Sequence, residues 1–279
     1  LGYITLKEGV FAGPIAKFLS DEKKAEIFLQ KAESAWQAGN FNEAKLQIDS
    51  VRILYPKAFE ARKQGVRIMQ KVELDEQRKG LAYLDSLLRI KQDEFEAMKE
   101  NYVFEKDSIY QEIGNYFSSS QIVEKNINRT FLRAQVDEKG VMTLTSIYCG
   151  AGFIHHTSVK VSSGDTYAET PPSADIYETT DLGWKIEKAD YPAGKDGGVI
   201  GYIVLNKDNP IKVEYKGDRT YKIAMTPADR KAIADIYALK QVLASIEQIK
   251  KEQLEANRKI EFITRKMKES EEKDKPVSE

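Results

Sequence analysis

The sequence predicts an α+β protein: a helical hairpin, then a long antiparallel coiled-coil helix pair with an antiparallel β-sandwich or small barrel inserted between its arms. Three observations carry this reading. Leu74, Leu81, Leu88, Phe95 and Tyr102 recur every seven residues, with Leu84 and Met98 on the intermediate row and Gln77 and Lys91 interrupting it. Leu239, Val242, Ile246, Ile249, Gln253, Ala256, Ile260, Ile263 and Met267 alternate three and four apart. Between the two rows, about 115–224, lie short apolar-alternating segments punctuated by turn residues.

The elements follow in order. Residues 1–20 hold Gly2, Gly9, Gly13 and Pro14 and read as a lead-in or short helix. Over 21–57 helical spacing of Phe28, Ala32 and Ala35 gives way to Gly39, then resumes at Ala44, Ile48 and Val51 before Pro56. Gly39 can take the positive φ that ends a helix, and Pro56 ends the next one. A long helix is expected over 58–107, a β-rich domain over 108–225, a second long helix over 226–267 and a charged tail over 268–279. Thr226-Pro227-Ala228-Asp229 reads as an N-cap, a first-turn proline and a first-turn acid. The two apolar rows contain the same number of residues, so each arm spans roughly 40 Å at about 1.5 Å per residue. An antiparallel pair puts Tyr102 near Leu239 and Leu74 near Met267. Pairing of each helix with its copy in a homodimer is the alternative. Within the β domain, strands are expected at 129–136, 141–148, 155–161, 165–169, 183–187, 199–205, 211–215 and 220–225.

The stretch from Asp21 to Pro56 resembles one tetratricopeptide repeat. The matching positions are Phe28, Ala32, Gly39, Phe41, Ala44, Ile48 and Pro56. Lys31 stands where that family has a large apolar residue, and no glycine accompanies Glu73 one repeat further on. A single repeat lacks the stacked neighbours that form a peptide-binding groove. The whole chain also resembles uncharacterised bacterial cell-envelope proteins that join a short repeat-like helical region, a coiled coil and a β domain. Ser146-Ile147-Tyr148-Cys149-Gly150 followed by His155-His156 is the distinctive part. That resemblance implies an exported protein, a lipoprotein candidate located in the periplasm or on the outer surface; the composition is equally compatible with the cytoplasm.

Composition narrows the classes. Of 279 residues, 31% are charged, which suits long solvated helices, and the net charge of -1 gives no basic signal for nucleic acid. The single cysteine, Cys149, excludes an intramolecular disulfide or a multi-thiolate metal site. The longest apolar run, 199–205, is far short of a transmembrane segment. The sequence starts at Leu1, as expected of a fragment or processed product.

No residue pattern names a cofactor or a metal. His155 and His156, the only histidines, would point to opposite faces of a strand. Gly150 and Gly152 open no helix and read as turns, as does the glycine-rich 194–198 segment. Asp175, Glu178, Asp181 and Glu187 lack calcium-loop spacing and read as solvated loop charges. Strand aromatics are expected in the core, whereas Phe153, Tyr177 and Tyr191 are expected on loops, where with His155 and His156 they are the ligand-binding candidates. The expected function is a noncatalytic cell-envelope scaffold or binding protein, its partner another protein or a cell-surface polymer contacted by the β domain. Two alternatives stand beside it: a hydrolase or transferase around Cys149 and His155, and a homo-oligomeric structural coiled coil.

Overall fold

The computed structural model describes residues 20–106, 109 and 112–273. Apart from Ser20, the expected lead-in lies outside the described residues, as does the tail beyond residue 273. The chain is mixed α and β, and its contacts divide it into two units. One comprises the residues up to Asp85 together with those from Glu252 onward; the other is Ser86–Lys251.

The first unit is helical. α1 (Asp21–Gln37) starts at Ser20, whose side chain accepts the Lys23 N–H, and α2 (Phe41–Leu54) starts at Asn40, which accepts the Glu43 N–H. Gly39 joins them at φ 75°, the conformation expected for it. The first part of α3 (Phe59–Lys99) packs on both. Ala25, Ala32 and Ala44 have no exposed surface, and these small residues let the helices meet around Leu29, Ile48, Val51, Ile68 and Val72. Fully burying such an aliphatic side chain contributes about 1.5–3 kcal/mol. The Glu22 carboxylate accepts the N–H groups of Glu60 and Ala61 at 3.3 and 3.1 Å and so caps α3 from α1. Trp36 Nε1 donates to Asp75 at 3.0 Å. The last part of α5 (Pro227–Lys273) completes this unit, and Gln253, the polar break in the second apolar row, donates to Asp85 at 2.7 Å.

The second unit holds ten strands among the described residues. β1 (Tyr102–Glu105), β2 (Asn115–Ser118), β3 (Phe131–Asp137), β4 (Met142–Gly150), β7 (Asp175–Asp181) and β8 (Trp184–Pro192) form one antiparallel sheet in the order β1-β2-β3-β4-β8-β7. β5 (Ser158–Ser163), β6 (Thr166–Glu169), β9 (Lys212–Lys216) and β10 (Tyr221–Ala224) form a second, ordered β10-β9-β5-β6. Leu132, Ala134, Leu144, Tyr148 and Ala189 from the first sheet share a core with Val159, Val161, Val213 and Tyr215 from the second. The same core takes Val199 and Ile203 from the short helix α4 (Val199–Leu205), and Ile233, Ile236, Leu239 and Leu243 from the first part of α5.

Several expectations change here. The segment 199–205 is helix α4, not a strand. Its start is capped by Asp196, which accepts the Ile200 N–H at 2.9 Å. The first long helix ends at Lys99 rather than near 107, and Tyr102 opens β1. Tyr102 still reaches the second helix, its hydroxyl donating to the Asp235 carbonyl at 2.9 Å, one turn from the expected neighbour Leu239. Burial and the Asp235 carboxylate push the Tyr102 hydroxyl up to about 12. The acidic stretch 175–181 is an exposed edge strand, not a loop. No helix among the described residues is long and apolar enough to cross a membrane.

Candidate functional site

The chemistry-bearing residues converge at one end of the six-stranded sheet. Strand alternation sorts them. On β4, Leu144, Ser146 and Tyr148 face the shared core, while Thr145, Ile147 and Cys149 face the other way. β8 pairs antiparallel with β4, Ser146 opposite Ala189 and Tyr148 opposite Glu187, so Glu187 also faces the core. The chain then turns through 151–157 before β5 and lays His156 over these residues.

The result is a continuous buried chain. Ser146 Oγ lies 2.7 Å from His156 Nε2, and His156 Nδ1 donates to Glu187 Oε2 at 2.7 Å. None of the three side chains has exposed surface. Glu187 Oε1 accepts the N–H groups of Ile154 and His155 at 2.5 and 2.9 Å, and Oε2 accepts that of His156 at 2.9 Å. Burial pushes the Glu187 carboxyl up, but these N–H groups and the His156 ring outweigh it and hold the group below its ordinary value of 4.5. Ser146 Oγ is also 3.3 Å from the Tyr191 hydroxyl, which donates to the Thr157 carbonyl at 3.1 Å. Tyr148 and Tyr215 sit edge-on to the His156 ring.

Serine, imidazole and carboxylate in this order have the connectivity of a nucleophilic triad. Their surroundings do not suit that chemistry. Ser146 is enclosed by core side chains, and a substrate carbonyl has no route to it in this conformation. The arrangement anchors the 154–156 turn by giving three consecutive N–H groups a common acceptor.

His155 leaves the core. It takes φ 51°, a conformation unusual for a residue with a side chain, and turns outward. Its ring stacks on Phe153 at 5.5 Å and its Nδ1 pairs with Glu178 at 2.9 Å. The hydrogen bond to Glu178 leads the causes that raise its pKa above 6.5. Lys185 lies over the Phe153 ring at 5.1 Å. Beside it the β7–β8 turn exposes Leu182, 92% accessible at φ 46°, and Trp184, while Tyr177 is exposed further along β7.

Of the five ligand-binding candidates, Phe153, His155 and Tyr177 are therefore at the surface. His156 and Tyr191 are in the core, because strand β8 extends to Pro192 and turns the Tyr191 ring inward. Glu187, expected as a solvated charge, is wholly buried. Cys149 shares no face with His156, and burial pushes its thiol above 9.0, which disfavours the thiolate a nucleophile needs. Ser146, known from the sequence only as part of a distinctive phrase, and Glu178, expected as a solvated charge, are not among the ligand-binding candidates, since only the fold brings them to the two histidines.

Ligand atoms of His155, Glu178 and Glu187 lie within 4.8 Å of one another. Both Glu187 oxygens already accept two hydrogens each, and a cation would have to displace N–H donors. The group is an ion pair beside a saturated carboxylate. No protein-family model matches the chain, and no curated protein matches it in sequence.

Proposed function

We propose that this is a noncatalytic binding or scaffold protein of the cell envelope. It contacts another protein or a surface glycan through the sheet end that carries Phe153, His155, Leu182 and Trp184. One observation carries the reading: the groups presented there include the His155 and Trp184 rings and a strained leucine, while the Ser146 hydroxyl of the triad-like chain is wholly buried. A leucine held in the left-handed region costs about 1–3 kcal/mol and, here, covers no core. Accessible aromatic rings suit sugar faces or a peptide. The first unit serves as a tetratricopeptide-like support, with small residues at Ala32 and Ala44 and the turn at Gly39. The long helices act as a coiled-coil spacer, and the two sheets make a sandwich whose end is the contact surface.

Trp184 reports on this directly, because the only other tryptophan, Trp36, can be replaced by phenylalanine. Its emission is expected to shift on titration with an envelope oligosaccharide, and Phe153→Ser is expected to abolish the shift. If no such sugar shifts it and a photo-crosslinker at Leu182 captures no envelope protein, the reading fails.

A further inference from the structure

On the opposite face of the six-stranded sheet lies a hollow of about 140 Å³ that the surface described above does not use. Its floor is apolar, made by Phe131, Ile147, Cys149 and Ile186 on three adjacent strands. The segment from Gln121 to Arg129 passes over it. Gln121 pins that roof by donating to the Leu132 carbonyl at 2.9 Å and to Asp229 at 3.1 Å, and Arg129 binds the same Asp229. Asn128 closes the rim at φ 56°.

Two cations border the hollow, Arg133 and Lys188; the Asp190 and Glu105 carboxylates lie near enough to Arg133 to act on its charge, but neither bonds it. The Arg133 guanidinium stacks on Phe117 at 4.9 Å, and its Nε is buried with no hydrogen-bond partner. Among the described residues neither Arg133 nor Lys188 makes an ion pair. Asp181 is the one acid on the wall, at its exposed end. A buried guanidinium donor without an acceptor is costly, and native folds supply one. A cavity of about 150 Å³ holds a molecule the size of benzene.

We propose that the hollow is a binding site for a small organic anion, a short-chain carboxylate whose apolar body rests on Phe131, Ile147 and Ile186 and whose carboxylate meets Arg133 and Lys188. The ligand is limited to about seven heavy atoms and to a single negative charge, because Asp181 on the wall and Asp190 and Glu105 near Arg133 already offset part of the two cations' charge. Cys149, the only thiol in the chain, lies in the floor and reports occupancy.

Pentanoate is the probe, with 1-pentanol as its uncharged counterpart, added to the full-length protein. Two readouts run together: the alkylation rate of Cys149 and the backbone amide NMR shifts around Phe131 and Ile147. Pentanoate is expected to slow alkylation and shift those amides, and pentanol to do neither at equal concentration. Lys188→Met and Arg133→Met are each expected to weaken pentanoate binding on the order of tenfold, the loss of one charged hydrogen bond. Lys188, on a different strand, keeps the test valid if Arg133→Met does not fold. Equal effects of pentanol, no effect of pentanoate, or full binding by a folded Lys188→Met variant would each overturn the assignment.

Discussion

Glu187 shows how much one side chain decides. It collects three backbone N–H groups and the His156 ring in a fully buried position. Glu187→Gln leaves those donors facing an amide, and removing one partner of a buried pair costs about 3 kcal/mol. The sign with pH follows from its lowered pKa: the stabilisation is present above 4.5 and is lost as pH falls through the folded value. Chemical denaturation should therefore show the deficit of Glu187→Gln to be largest near neutrality and to shrink in acid. A deficit that is constant with pH would mean the charge is not the source. His155 moves the other way. Its NMR titration should fall above 6.5, and Glu178→Gln should return it toward that value. These networks were illegible in the sequence because Ser146, His156 and Glu187 come from separate segments, joined only by strand register.

At the level of elements, the sequence was most readable where burial is one-sided and periodic. Every residue of the 239–267 row is buried or half-buried on α5. The earlier row misled at its end for a physical reason. Periodicity reports which side chains are drawn from solvent, and Tyr102 is one of them, its hydroxyl on the Asp235 carbonyl, but from a strand that begins after the helix has stopped. The apolar run 199–205 was ambiguous because a buried strand and a buried short helix look alike without their caps. The β3–β4 turn gives a sharp prediction. Gly140 has φ 80°, and a Cβ there would lie 2.4 Å from the Ala244 backbone nitrogen on α5. Gly140→Ala should cost about 2 kcal/mol or more, since neither backbone can yield cheaply. Thermal melting of the full-length protein measures it, and an unchanged melting temperature would refute the contact.

For the whole molecule, two separate cores imply two separable stabilities. Ala32 has no exposed surface in the helical unit, and a glutamate there would bury an unpaired charge. Ala32→Glu is expected to erase the amide signals of that unit while those of Ser86–Lys251 persist. Simultaneous loss of both sets would show a single cooperative fold.

The helical unit is drawn from both ends of the described chain, and Ser86–Lys251 is continuous. This sets an order on a ribosome. At about 5–20 residues per second, Asp85 precedes Glu252 by roughly ten to thirty seconds. Throughout that interval the apolar stripe of α3 from Leu74 to Leu84 lacks the α5 turns that complete its unit. The unit synthesised first is therefore the last to close, and the nascent protein carries an open hydrophobic flank that something in the cell must tolerate or cover.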